Sequence, residues 1–245
     1  SKKYLYDIKL KNVGISIERF ILLLEEAKIR LSKKEKEKIH LYTKKSKIPS
    51  ILKLSKELLF FFGLWSAEGS YNKDDARISI NSKEYPFILS ILSKCFDKLS
   101  FYRKNKNSVD IIICNNAFGR IMKLLGFKSG ARKKSIPFFL FNLSLENLSA
   151  FLKGYFAGDS ALNTKTYLPQ VELTTYSEDL ANATLYLLLY FGIVAKVYKD
   201  KDRFRICFSD KENLEKFLYY IGFLDASKNK IIEDYLEKCK EEGIR

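Results

Sequence analysis

Two stretches of this chain, 91 residues apart, follow one pattern. The first is Leu59-Phe60-Phe61-Phe62-Gly63-Leu64-Trp65-Ser66-Ala67-Glu68-Gly69 and the second is Phe151-Leu152-Lys153-Gly154-Tyr155-Phe156-Ala157-Gly158-Asp159-Ser160. Each is an apolar, helix-like run with two small residues four positions apart, Gly63 and Ala67 or Gly154 and Gly158, and each ends at an acid. Positions four apart lie on one helix face, so each pair makes a flat strip along which another backbone can approach. An apolar helix also needs a partner to bury it. If the two pack side by side and parallel, Glu68 and Asp159 meet at their C-terminal ends. That meeting is unfavourable, because carboxylates repel and each helix adds about half a negative charge at its C-terminus. Divalent cations bridging the acids to an anionic substrate relieve it.

The chain carries 44 Lys and Arg against 29 Asp and Glu, a net charge of +15. A basic surface around a carboxylate centre suits a polyphosphate, although a Lys-rich solvated surface gives the same total. Residues 1–50 hold 14 of the basic and 6 of the acidic residues, a net +8. At 245 residues and 47% hydrophobic content the chain can bury a substantial core. No apolar run reaches the length of a membrane span, so no membrane role is expected. The N-terminus lacks the apolar stretch of a signal peptide. Cys95, Cys114, Cys207 and Cys239 are widely spaced and His40 is the one histidine. Zinc is not expected, and reduced, buried thiols in an intracellular protein are.

After each acid the chain follows the same itinerary. Arg77 to Asn81 alternates as a strand does, and Glu84 to Leu99 has a helical period. Phe101 to Lys104 and Val109 to Cys114 flank a turn, and Asn116 to Leu125 is helical, stopping at Gly126-Phe127. In the second copy Gln170 to Thr175 is the strand and Glu178 to Tyr190 the helix. Ile193 to Lys199 and Arg203 to Ser209 form the hairpin, and Lys211 to Tyr220 is a helix stopping at Gly222-Phe223. Two such units imply a duplication about a pseudo-twofold axis between the motif helices. The expected division is a basic N-terminal helical extension (1–54), a first repeat (55–134), a linker (135–143), and a second repeat with a C-terminal helix (144–245). In the extension, Ser16 to Leu24 opens an amphipathic helix, Ser32-Lys33-Lys34-Glu35 is a capping box, and Lys44 to Pro49 is a basic connector. It is either an accessory DNA-binding arm or a packing segment.

A pseudo-twofold protein with acids near its axis suits duplex DNA, whose strands are related by a local dyad. A β-ribbon can enter the major groove, and alternation leaves one face of each strand free to do so. In the first half the residues suited to base edges or phosphates are Asn72, Lys73, Arg77, Ser79, Asn81, Arg103, Lys104 and Lys106. In the second half they are Asn163, Lys165, Gln170, Glu172, Thr174, Lys196, Tyr198, Lys199, Lys201, Arg203 and Arg205.

Phe61 to Gly69 and Leu152 to Ser160 resemble the paired motifs of LAGLIDADG homing endonucleases, and the resemblance runs from about residue 55 to 240. It implies an α+β fold, a duplicated αββαββα unit with two antiparallel sheets forming a saddle over DNA. It implies that Glu68 and Asp159 are the catalytic acids, holding Mg2+ between the scissile phosphates, with Mn2+ or Ca2+ able to substitute for binding. Gly69 and Ser160, next to the acids, join the expected metal site. A lysine from the segment after each repeat's last helix is also implied, here Lys228, and Arg132 or Lys133. The alternative for these cations is that they only complement a helix dipole. The family usually has Gly where this chain has Ser160; a left-handed helix end there would cost Ser on the order of 1 kcal/mol.

The expectation is a monomeric, site-specific double-strand endonuclease with no obligatory protein partner. It would act on a long, asymmetric DNA site inside the cell that carries its target. The rival is a LAGLIDADG protein that binds nucleic acid without cutting, such as an RNA maturase or a DNA-binding regulator. Retention of both acids favours the enzyme, since a pure binder gains nothing from them. Self-splicing is not expected, because the chain ends Glu242-Gly243-Ile244-Arg245 and lacks the needed histidines. An endonuclease portion of an intein and a free-standing intron-encoded enzyme both remain open.

Overall fold

The computed structural model describes residues 17–42, 47–165 and 168–241. The chain divides into two compact units, residues 1–53 and 54–245. In the smaller unit, α1 is Ile17–Glu26 and α2 the single turn Lys33–Lys36, followed by β1, His40–Tyr42, and β2, Lys47–Pro49. The capping box is present: the Ser32 N–H donates to Glu35 Oε2 at 2.8 Å, and the Glu35 N–H to Ser32 Oγ at 3.3 Å. Lys47 to Pro49, expected as connector, is instead a strand paired antiparallel with β1. Ser16, Lys44 to Ser46 and the terminal Glu242 to Arg245 lie outside the described residues.

The larger unit contains two copies of one arrangement. The first comprises α3 (Lys56–Glu68), β3 (Gly69–Asn72), β4 (Asp75–Asn81), α4 (Tyr85–Leu92), β5 (Leu99–Asn105), β6 (Ser108–Ile113) and α5 (Asn116–Leu124). A 3-10 turn at Phe138–Asn142 leads into the second copy. That copy comprises α6 (Leu145–Asp159), β7 (Ser160–Asn163), β8 (Gln170–Thr175), α7 (Glu178–Leu189), β9 (Lys196–Asp200), β10 (Arg203–Phe208) and α8 (Lys211–Tyr220), with α9 (Ala226–Glu241) following. The sheets have equivalent orders, β3-β4-β6-β5 and β7-β8-β10-β9, and every pairing is antiparallel. This is the duplicated α+β fold expected from the sequence.

Local chemistry accounts for the elements. Ser55 and Ser144 cap α3 and α6, accepting from the Leu58 and Asn147 N–H groups, with Glu57 and Glu146 in the first turns. Leu58 to Ala67 is buried without interruption, as in a helix covered on all sides. The Lys56 ammonium meets Glu146 at 2.5 Å, tying together the N-terminal ends of the two helices. Gly126 and Gly222 adopt φ of +98° and +64°, ending α5 and the turn after α8 where a side chain would be strained. Each turn delivers a phenylalanine to the core. Phe127 packs on Phe62 with ring centroids 4.7 Å apart, and Phe223 on Phe217 at 5.0 Å. Burying each such ring contributes about 1.5–3 kcal/mol.

Two departures from the periodicity have clear causes. The α4 helix ends at Leu92 although the apolar period continues. Phe96 leaves the helix to pack edge-on against Phe61 and Phe118, at 5.1 and 5.0 Å. The segment between the repeats is packed instead of open: Ile136 and Leu140 are buried, and the Ser177 hydroxyl donates to the Lys134 carbonyl at 2.6 Å. Of the thiols, Cys207 and Cys239 are buried but Cys114 is exposed. No helix among the described residues is long and apolar enough to cross a membrane.

Candidate active site

The motif helices α3 and α6 pack backbone against backbone. A Cβ placed on Gly63 would overlap the Phe151 carbonyl oxygen and stand 2.6 Å from the Tyr155 nitrogen. One on Gly154 would overlap the Phe60 carbonyl oxygen, and one on Gly158 would overlap the Ala67 Cβ and stand 3.0 Å from the Glu68 Cγ. The contacts advance in the same direction along both chains, so the helices are parallel. Glu68 and Asp159, their last residues, therefore meet as the small-residue spacing requires.

The electrostatics are those of two acids out of water. Burial, then the charge of Glu68, pushes Asp159 up to about 7, while Lys134 pulls it down. Glu68 is also raised by burial, with Lys134 opposing and Glu84 adding to the shift. Lys134 is itself buried, 9% exposed, and its ammonium donates to the Ala67 carbonyl. Burial lowers its pKa, and Asp159 and Glu68 oppose that. One ammonium thus faces two carboxylates. The donors are hard oxygens held in a site short of positive charge, which fits Mg2+, Mn2+ or Ca2+. Among the described residues no group of three or more His, Cys, Asp or Glu converges to hold a metal. Glu68 and Asp159 would hold such an ion, and further oxygen ligands would have to come from outside the protein's acids.

Beside Glu68 lies a pocket of about 220 Å³ lined by residues of both repeats, including Ser79, Asn81, Glu84, Ser160 and Lys228. Lys228 is thus in the pocket beside Glu68, where its charge acts on Glu84, with its ammonium 5.2 Å from the Phe223 ring centre. Arg132 and Lys133 are not. Arg132 makes an exposed ion pair with Asp202 at 2.8 Å, and Lys133 points to solvent. Their neighbour Lys134 is the buried cation, in a run where Lys134 and Ile136 face inward. Nothing local distinguished it from Lys133 except this alternation toward an apolar residue. Ser160 is not in the left-handed region: its φ and ψ are −101° and 148°, close to Gly69 at −77° and 149°. The anticipated strain is therefore absent, and the Ser160 hydroxyl donates to the Phe156 carbonyl. Gly is needed at position 69 for another reason, since a Cβ there would collide with the Trp65 ring.

Strand register sorts the remaining candidates. On the first sheet, Asn72, Arg77, Ser79 and Asn81 share the polar face, joined by Ser70, Asp110 and Tyr102, which had not been anticipated. On the second, Asn163, Gln170, Glu172, Thr174, Lys196, Tyr198, Arg203 and Arg205 share the equivalent face. Arg103 pairs with Val109 and Lys199 with Phe204, so both fall on the opposite side. Lys104 sits at an irregularity in β5, and Lys73 and Lys201 occupy tight turns at φ of 55° and 56°. Lys106 and Lys165 lie between strands.

Parallel glycine-faced helices ending in acids, each followed by a four-stranded sheet, are the features that carry the likeness to LAGLIDADG proteins. Residues 146–222, most of the second repeat, match the family model described as LAGLIDADG-like domain. Among curated proteins it is similar to a probable translation initiation factor IF-2 of Thermococcus kodakarensis, 29% identical over 192 residues. It is also similar to a DNA polymerase of Thermococcus hydrothermalis, 26% identical over 190 residues. The matches cover 75% and 72% of this chain but only 16% and 11% of those proteins. Among solved structures it shares the fold of the homing endonuclease I-WcaI bound to its DNA recognition sequence. The TM-score is 0.54 at 16% identity, covering 70% of this chain and 83% of that one.

Replacing Lys134 by Met should leave two buried carboxylates facing each other, a loss of about 3 kcal/mol. In chelator at pH 8 the melting temperature should drop by roughly 6–12 °C. The drop should shrink at pH 5, where Asp159 holds a proton. An unchanged melting temperature at pH 8 would mean that the ammonium does not offset the acids.

Proposed function

We propose that this chain is a site-specific endonuclease that cuts both strands of duplex DNA with divalent metal. The carrying observation is the pairing of Glu68 and Asp159 at the ends of parallel helices, with the buried ammonium of Lys134 opposing their charge. A metal bound at the acids supplies a polarised phosphate and an activated water. Glu68 and Asp159 furnish the carboxylate oxygens that hold it. Lys134 opposes protonation of the pair, and Lys228 places a cation beside the phosphate where negative charge develops. Gly63 and Gly154 set the separation of the acids. The polar faces of the two sheets fix the register on the duplex, and the excess of Lys and Arg supplies salt-sensitive affinity.

The origin we favour is intein-derived. An initiation factor and a DNA polymerase perform different tasks, yet each shares with this chain one segment covering a minor part of its length. An element inserted into unrelated hosts accounts for that pattern.

The test is incubation of the full chain with a genomic or randomised duplex library in Mg2+, followed by sequencing of the ends. One long non-palindromic site should be cut on both strands, leaving 3′-hydroxyls, 5′-phosphates and short 3′ overhangs, and chelator should stop it. Tight DNA binding with no cleavage in Mg2+ or Mn2+ would replace the enzyme by a non-cutting binder.

A further inference from the structure

On the polar face of the first sheet, Arg77 is clamped. Its Nε donates to Ser70 Oγ at 3.1 Å, and its Nη1 stands 3.6 Å from Asp110 Oδ2. Asp110 is fixed in turn: it is 6% exposed, and its Oδ1 accepts from Ser79 Oγ at 2.5 Å. A guanidinium has five N–H donors in a rigid fork, so these contacts leave donors over, and the Arg77 side chain remains 38% exposed.

A carboxylate at that distance decides what Arg77 is suited to recognise. It cancels much of the charge that would attract a phosphate, while leaving the N–H donors intact. Guanine presents two uncharged acceptors, O6 and N7, to the major groove, and a positioned arginine fork matches them. A phosphate contact gains nothing from a locked side chain, whereas base discrimination does.

The second sheet carries the same charges the other way round. The pairings Gly69–Ile78 and Ser160–Leu173 make Glu172 the counterpart of Arg77. The pairings Ser79–Asp110 and Thr174–Arg205 make Arg205 the counterpart of Asp110. There the acid is engaged by Asn163 Nδ2 at 2.9 Å, and Arg205 lies 5.5 Å over the Tyr198 ring.

We propose that Arg77 and Arg205 are guanine-reading residues at positions not related by the pseudo-dyad, and that Asp110 is the positioning residue that makes Arg77 one. This rests on the reading that the polar sheet faces lie on duplex DNA. The two halves then demand guanine at different distances from the centre of the target.

The experiment measures binding of the full chain, in Ca2+, to duplexes carrying its target with each base pair varied in turn. Wild type, R77K, D110N, S79A and R205K are compared. In wild type, guanine should be preferred about ten- to a hundredfold at the Arg77 position. In R77K, which keeps the charge but not the fork, that preference should fall to within about threefold while other positions keep theirs. D110N and S79A should weaken the same position, and R205K a different one in the other half. If R77K and D110N change affinity equally for every duplex, Arg77 grips phosphate and the proposal fails, with the reading of a DNA-binding face intact. If wild type shows no preference among duplexes at all, both fail.

Discussion

Asp159→Asn and Glu68→Gln are each expected to abolish strand cleavage, a loss of at least about a hundred- to a thousandfold. DNA affinity should persist or rise, because each change removes a negative charge near phosphates and leaves the basic surface untouched. Either variant cutting at the wild-type rate in Mg2+ would remove the acids from the active site. The Asp159 variant carries a second signature. Its carboxyl is about 7 in the folded chain against 3.8 ordinarily, so the folded state holds a proton that the unfolded state releases across that interval. Metal-free wild type should therefore lose stability as pH rises from about 4 to 7, by about 4 kcal/mol, and regain none of it above. Asp159→Asn lacks that ionisation and should show a flatter profile, melting higher than wild type at pH 8 in chelator. Matching pH profiles for the two proteins would mean that Asp159 is not held in the buried state described.

The second large effect is expected from Gly154→Ala or Gly63→Ala. One methyl group at either position would overlap a carbonyl oxygen of the facing helix. Backbone cannot step aside as a side-chain tip can, so the helices must separate. The cost should be about 3 kcal/mol, a fall of roughly 6–12 °C in melting temperature. Cleavage should drop further than binding, on the order of a hundredfold, because the separation displaces Glu68 from Asp159 and a misplacement of about 1 Å costs that much in rate. A Gly154→Ala protein with wild-type melting and cleavage would contradict backbone-to-backbone packing of α3 and α6.

These helices and their acids were legible because the signal was local and doubled: small residues four apart, an apolar surround and a terminal carboxylate, twice. The strand Gln170–Thr175 and the helix Lys211–Tyr220 also matched their sequence periods residue for residue. What escaped depends on distance in the fold. Lys134 is indistinguishable from Lys133 until the chain passes beneath the acids. Arg103 and Lys199 looked suited to DNA by type, but a side chain's face follows from strand register, which their own neighbourhood does not fix. Asp110 lay hidden in Ser108-Val109-Asp110-Ile111-Ile112-Ile113, where an acid reads as an interruption; its partners are a strand away. The left-handed ending imagined for Ser160 failed because both motif helices run directly into extended strands.

The position of Lys134 between the repeats has a consequence for synthesis. As the chain leaves the ribosome, Glu68 and its neutralising ammonium emerge before Asp159 exists. The N-terminal half thus carries one acid and the ammonium that opposes its charge. The second carboxylate, which turns that balanced pair into a cation-seeking centre, arrives only when α6 docks. On the proposed reading, a half-made chain lacks the second acid, and the cutting centre is complete only once both repeats are present.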